Sequence, residues 1–449
     1  MGAERRRIRY AICGLSTRAV GNFLLPLLGR PSNYSDRDFS SLGEVVGVLD
    51  ADLGRVGAMN RKCGTKIPAY GAADLRVMID ETKPDVLLVA TPDAVHGEAI
   101  VAGLEAGLDV VAEKPMVASA EQARKVLEAE AKSVGRVRVA FNYRYGPFMR
   151  AARRFIRDGK LGRIANIDFN YFVDTQHGSS YFFRWNRERK NSGGLCIHKG
   201  CHHFDLAAWL IGDRPERVFA FGRRNFYGPD GWLRPRDEHG NPLPGVEERV
   251  RCPYDQRHWS KRFAPTQNPG TGWDPLDLPY DHQYPADKAR YIYDGVIDSE
   301  DTYSAMVAYR GGASLAYSCV FSAPFSGYRL GITGSKGRLE VNVITQTFAE
   351  EEVFEAYPKQ REIVFYPIFG GRQPLAVVTS QGGHGGADPL LQQDLFGRGV
   401  RDEAVADLDT VSTALDGAMA VATGEAVWRS IQDGRPYSIS ELLAPFDKP

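Results

Sequence analysis

The stretch Ile8-Arg-Tyr-Ala-Ile-Cys-Gly14-Leu-Ser-Thr-Arg-Ala19-Val-Gly-Asn-Phe23-Leu-Leu-Pro-Leu-Leu28 decides the fold. The apolar run ending at Cys13 reads as a strand, Gly14 to Ala19 as a tight turn, and the run from Phe23 as a helix. Gly14, Ser16 and Ala19 hold the three key positions of the G-x-G-x-x-G/A dinucleotide pattern. Small residues there let backbone approach a pyrophosphate at a helix N-terminus, where unpaired N–H groups and the helix dipole favour an anion. Ser16 replaces the middle glycine, so the motif is weak by itself. Thr17 and Arg18 belong to the same turn and are assigned to cofactor binding with it.

The flanking sequence strengthens this reading. Glu44-Val-Val-Gly-Val-Leu-Asp50 is a second apolar strand ending in an acid. An acid there takes the ribose hydroxyls of NAD and repels the extra phosphate of NADP, although Arg18 or Arg55 could still meet a 2′-phosphate. The gap from Gly14 to Asp50 exceeds the usual ~20 residues, and Pro31 to Ser41 reads as the loop insertion responsible. A third strand, Asp85 to Ala90, is followed by Thr91, Pro92 and His96, and a fourth, Asp109 to Ala112, by Glu113, Lys114 and Pro115. Strands alternating with helical segments at this spacing indicate a parallel, doubly wound sheet. Its ligand lies beyond the strand C-termini, where Thr91, Pro92, Glu113 and Lys114 fall. Proline biases Lys114 to an extended form. A lysine held there could polarise or deprotonate a substrate hydroxyl beside a nicotinamide.

A second informative stretch runs from Asn191 to Gly212. It places His198, His202 and His203 within six residues and reads as one helix with a glycine stop. On one helix His198 and His202 share a face, Asp205 lies on the same side, and Leu206, Trp209 and Leu210 form the anchoring stripe.

Bulk properties set bounds. The 449 residues suffice for two or three domains, and 43% hydrophobic content supports large cores. Lys+Arg 56 balances Asp+Glu 56. That balance removes the electrostatic reason to expect nucleic acid or an anionic membrane as partner. No apolar run reaches the roughly 18 residues of a membrane span. The basic start lacks a signal-peptide core and the six cysteines form no C-x-x-C pair, so a cytoplasmic, reducing location is expected.

Together these pieces resemble the Gfo/Idh/MocA family of sugar and inositol oxidoreductases. The resemblance rests on Gly14 to Ala19, Asp50, Thr91-Pro92 with His96, Ala112-Glu-Lys-Pro-Met116, Asn142-Tyr-Arg-Tyr145, and Gly193-Gly194 through His202 to Asp205, in the family's order. It implies an α/β protein with an N-terminal Rossmann domain, residues 1–144. The C-terminal α/β domain, residues 145–449, would carry a large open, mainly antiparallel sheet and a long loop insertion at about 223–298. It also implies NAD-dependent hydride transfer at a carbohydrate carbinol and a homo-oligomer, dimer or tetramer, formed through that sheet. Lys114 matches the family's Glu-Lys-Pro lysine and His202 its helix histidine. Where the family often has an aspartate, this chain has His198. The usual set therefore becomes lysine and two histidines. The sequence looks most like a subgroup that also carries a late Gly-Gly-His-Gly-Gly segment, here Gly382 to Gly386 around His384 and followed by Asp388.

Cofactor binding is assigned to Gly14, Ser16, Thr17, Arg18, Asp50, Thr91, Pro92, His96, Glu113, Lys114 and Asn142. Catalysis is assigned to Lys114, His202 and His198, and substrate binding to Tyr143, Arg144, Trp185, His203 and His384. The aromatic run Tyr181 to Trp185 suits a sugar, whose apolar C–H face and hydroxyl rim match rings with polar ends. Three alternatives stand beside the dehydrogenase. One retains NAD and cleaves a glycoside by transient oxidation and elimination. Another binds a divalent metal at His198 and His202, with His203, Asp205 or His384 as third ligand. The last senses NAD or a sugar without turnover.

Overall fold

The computed structural model describes residues 6–259, 274–280, 282–283, 290–345 and 361–446. It divides into two compact units, one of Met1–Arg153, Gly270–Tyr284 and Val377–Ala422, the other of Arg154–Pro269, Pro285–Ala376 and Thr423–Pro449. The division is discontinuous, unlike the single boundary expected at 144/145. The reason is apolar burial: Leu278, Leu390, Leu391, Phe396 and Val405 are buried in the same core as Tyr10, Phe23 and Val48. Phe396 packs edge-on against Tyr10 at 5.5 Å and Phe23 at 6.2 Å.

The first unit is built on strands β1 (Ile8–Cys13), β2 (Gly43–Leu49), β3 (Ala69–Tyr70), β4 (Val86–Val89), β5 (Asp109–Ala112) and β6 (Val137–Val139). They lie in the order β6-β5-β4-β1-β2-β3, all parallel, with Ser412–Thr413 antiparallel on the β6 edge. Ile12, Val48, Leu87, Leu88 and Val110 are fully buried, as a sheet covered on both faces requires. The chain reverses its direction of travel across the sheet between β1 and β4, which makes the crevice beyond their carboxyl ends the ligand position.

The helix after β1 opens with a π-helical segment, Ala19–Leu24, before Leu25–Leu27. Pro26 accounts for it. Proline has no N–H for Asn22 and its ring crowds that carbonyl, and the wider turn relieves both.

The second unit carries β7 (Ile164–Asp174), β8 (Pro215–Arg223), β9 (Thr302–Tyr309), β10 (Ser314–Ala323), β11 (Ser326–Gly334), β12 (Gly337–Thr345), β13 (Arg361–Pro367) and β14 (Gln373–Pro374). Their order is β14-β13-β12-β11-β7-β10-β9-β8, with Tyr437–Ser438 on the β8 edge, and only β7–β10 is parallel. Residues alternate in and out along β10, so one face is buried and the other open. The expected closing helix spans Ala414–Asp433 and is followed by a further short helix, Ile439–Leu443. Within the expected insertion, Gly245–Arg251 is helical and Asp255–Trp259 is a π-turn, while residues 260–273 lie outside the described residues. No helix among the described residues is long and apolar enough to cross a membrane.

Candidate active site

The crevice of the first unit begins at Gly14. Its φ is +86°, and a Cβ there would lie 2.6 Å from the Thr91 nitrogen, so only glycine lets the turn after β1 pass the end of β4. The same absence of a side chain leaves the backbone open to a pyrophosphate, and the turn fits the dinucleotide that its pattern implies. Ser16 Oγ accepts from the Ala19 N–H at 3.2 Å, which closes the turn without the second glycine. Asp50 sits at the end of β2 and accepts from the Leu15 N–H at 2.7 Å and the Asp52 N–H at 2.8 Å.

Glu113, Lys114 and Pro115 follow β5. His96, 1% exposed, places Nε2 2.7 Å from the Thr91 carbonyl and Nδ1 3.0 Å from the Pro115 carbonyl. Both ring nitrogens face backbone, so His96 ties the Thr91–Pro92 turn to the Lys114–Pro115 turn. Asp93, 3% exposed in the first turn of the following helix, has its carboxyl pushed up to about 8 by burial, against the opposing pull of His96 and Lys114.

A polar network links this turn to the late glycine-rich segment. The Lys114 N–H donates to Glu113 Oε2 at 3.1 Å. Arg18 reaches Glu113 Oε1 at 3.4 Å and Asp388 Oδ1 at 3.3 Å, with its guanidinium 5.0 Å from the Tyr34 ring. Asn142 donates to Asp388 Oδ1 at 3.0 Å, and His384 Nδ1 lies 2.8 Å from Asp388 Oδ2. Burial alone would raise the Asp388 carboxyl, but Arg18, His384 and Asn142 outweigh it and hold it well below the usual range. Tyr143 stands 6.3 Å from the His384 ring, whereas Arg144 is buried against the Asp409 carbonyl and Asp416.

Arg55, Asp274 and Tyr280 were not singled out in the sequence as one group. Arg55 donates to the Leu15 and Pro279 carbonyls and to Asp274 Oδ2, each at 2.7 Å, and lies 3.6 Å from the Tyr280 ring. Tyr280 bonds Thr17 Oγ1 at 2.5 Å. Residues 274–280 thus strap across the nucleotide-binding turn. Neither an Arg–Asp pair 219 residues apart nor the strap has a local sequence signal. The Asp388 spacing from His384, four residues, was such a signal.

In the second unit the expected single helix is broken. Leu195–His198 and Gly200–Ile211 are separate, because Lys199, at φ −103°, interrupts the ladder between them. The face-sharing argument for His198 and His202 on one helix therefore fails. Gly212, at φ +74°, ends the second helix as expected. His198 meets the rings of Trp185 and Tyr181 edge-on at 5.5 and 5.8 Å. His202 is 4% exposed. His203 is fully buried, with Nδ1 2.6 Å from the Tyr317 hydroxyl, so it braces the helix against the sheet. The Tyr181 segment is helical, Thr175–Phe183, with His177 stacked on Tyr181 at 5.2 Å. Among the described residues no three His, Cys, Asp or Glu side chains gather as a metal-holding group, and the expected metal has no such set to occupy.

A switch-point crevice with a glycine turn, joined in one chain to an open antiparallel sheet, defines a two-domain dinucleotide-dependent oxidoreductase. The NAD-binding Rossmann model of the Gfo/Idh/MocA oxidoreductases matches residues 8–141, and their C-terminal alpha/beta domain model matches residues 153–439. The chain belongs to this family and is an NAD(P)-dependent, dehydrogenase-type enzyme. It is 42% identical to the oxidoreductase YteT of Bacillus subtilis over 446 residues, 96% of this chain and 97% of that one. Levoglucosan dehydrogenase of Pseudarthrobacter phenanthrenivorans is 30% identical over 143 residues, 31% of this chain and 36% of that protein. The WlbA dehydrogenase of Bordetella pertussis, solved with NADH and UDP-GlcNAcA, shares the fold with a TM-score of 0.61 at 19% identity, covering 97% of this chain and 99% of that one.

Proposed function

We propose that this protein oxidises a carbinol carbon of a sugar, glycoside or cyclitol with NAD. The placement of Lys114 carries the reading. It stands on the turn after β5, at the carboxyl edge of the parallel sheet, braced through His96 to the Thr91 turn. Bound NAD supplies the hydride acceptor. Lys114 polarises or deprotonates the substrate hydroxyl, and the resemblance assigns His202 and His198 to the same chemistry. Trp185 and Tyr181, edge-on to His198, suit the apolar face of a sugar. NAD is favoured over NADP because Arg18 and Arg55 are both engaged with carboxylates. Phe221 and Met306, 70% and 52% exposed on β8 and β9, support a homo-oligomer through the open sheet face. A cytoplasmic location completes the reading.

The strap favours a second reading, in which NAD stays bound and a glycoside is cleaved by transient oxidation and elimination. Thr17, Arg55 and Asp274 tie residues 274–280 across the turn, which would slow cofactor exchange. Incubation with glucosides and cyclitols tests both. Growth of the reduced-nicotinamide band with a keto product is expected for the first, and aglycone release without it for the second. Lys114→Ala should lower kcat/KM by about 10²–10⁴-fold, and undiminished turnover would remove Lys114 from the chemistry.

A further inference from the structure

The late segment from Gly382 to Asp388 is built around one side chain. His384 holds φ +51°, and Gly385 and Gly386 follow at +68° and +88°, a run of left-handed backbone. A Cβ on Gly383 would lie 2.2 Å from Asp388 Oδ2, and one on Gly386 2.0 Å from Ser380 Oγ, so glycine is required on both sides of the histidine. Non-glycine residues held in this region cluster at functional sites. The turn seats the imidazole on a carboxylate that is wholly buried, while the imidazole itself is 42% exposed. Asp388 Oδ1 is already taken by Asn142 and Arg18, which leaves Oδ2 for the ring.

An ionised carboxylate only accepts, so Nδ1 must donate to it. In the neutral ring the proton is then fixed on Nδ1 and the lone pair on Nε2. A base oriented by a buried acid is the arrangement general acid–base catalysis uses. The groups around it are Asp388 on its own segment, Arg18 and Tyr34 from the turn after β1 and the loop beyond it, Glu113 after β5, and Asn142 and Tyr143 after β6. All belong to the first unit, where the strands' carboxyl ends face the ligand position.

We propose that His384, oriented by Asp388, is the catalytic base of the oxidation, with Nε2 taking the proton of the substrate hydroxyl. The inference rests on the dehydrogenase reading. The O–H bond breaks as its proton moves to Nε2. The C–H bond breaks as its electron pair and hydrogen pass to the nicotinamide, and the oxygen's electron pair closes the carbonyl. The proton on His384 then leaves to solvent. Lys114 keeps the role of hydrogen-bond donor to the same oxygen.

The test uses the full chain with NAD. Asparagine tolerates left-handed backbone, so His384→Asn keeps the turn. It should retain NAD affinity and substrate KM, lose about 10²–10⁴-fold in kcat, and lose the acidic limb of the pH–rate profile. Asp388→Asn should lower kcat with the imidazole still present. Nitrogen-15 spectra of the histidine rings should show Nδ1–H in the resting protein and lose that preference in Asp388→Asn. A change confined to KM, an unaltered acidic limb, or an Nε2–H tautomer in the resting protein would each overturn the proposal. Where the wild type oxidises no polyol, the dehydrogenase reading has failed, and the tautomer alone decides whether the dyad exists.

Discussion

Arg18 and Arg55 lie on either side of the same nucleotide-binding turn, and each faces a fully buried aspartate. They are held very differently. Arg55 is 3% exposed, and its Nε and both terminal nitrogens make 2.7 Å bonds to Leu15, Pro279 and Asp274. Arg18 is 23% exposed, and its contacts with Asp388 and Glu113 run from 3.3 to 3.5 Å. Short, saturated contacts fix one geometry. Longer shared ones leave the second carboxylate divided among Arg18, Asn142 and His384. The first pair holds a distant segment on the turn, and the second places an imidazole at the crevice.

The largest expected effect comes from removing the buried acid of the tight pair. Asp274→Ala leaves the Arg55 guanidinium buried without its carboxylate, and breaking such a pair costs about 3–5 kcal/mol. Asp388→Ala should cost less stability, because solvent screens the partly exposed Arg18, while turnover falls. Urea unfolding of both variants, beside their kcat, checks the contrast. Equal losses of stability would erase the distinction between holding and placing.

The Arg18 side contains a second contrast, between carboxyls of opposite sign. Asp388 is depressed, so the stability it contributes is present above the ordinary carboxylate range and is lost only as pH falls through its lower value. Asp93 is raised to about 8 from 3.8 by burial. Between those values the folded chain holds a proton that the unfolded chain has released, so stability falls as pH rises and levels off above about 8. Asp93→Asn stays neutral and should abolish that fall. Urea midpoints from pH 4 to 9 should converge for variant and wild type at the acid end, with the variant higher at the alkaline end. A wild-type midpoint that climbs relative to the variant across this window would make Asp93 a paired anion.

Much of the first unit was legible because its signals are local. A buried strand, a glycine turn and an acid at the next strand end each occupy a few neighbouring residues. Gly14, Asp50 and Lys114 could be placed from these alone. The helix break at Lys199 was not legible, since Leu195 to Ile211 keeps an unbroken apolar rhythm across it. The strap and the return of Leu390 and Phe396 to the first core are long-range packing, which leaves no periodicity to read. His384 stood out by its flanking glycines. Its partner Asp388, four residues on, acquires its role from Arg18 and Asn142, 370 and 246 residues away.

The smallest expected effect concerns cofactor choice. Asp50 caps the Leu15 and Asp52 N–H groups at the end of β2, where a 2′-phosphate of NADP would meet its charge. Asp50→Ser retains an oxygen to accept from Leu15 and removes the charge. In many sites that exchange would hand the phosphate to a nearby arginine. Here Arg55 is spent on Asp274 and two carbonyls, and Arg18 on Asp388 and Glu113. The substitution should therefore relieve repulsion without adding attraction, worth about 1.4 kcal/mol or about tenfold in the NAD-to-NADP ratio of kcat/KM. Steady-state rates with both dinucleotides measure it. Adding Asp274→Ala to Asp50→Ser frees Arg55 and should move the ratio further toward NADP. If the double variant matches the single one, Arg55 does not face the phosphate position, and the tight pair has no part in cofactor choice.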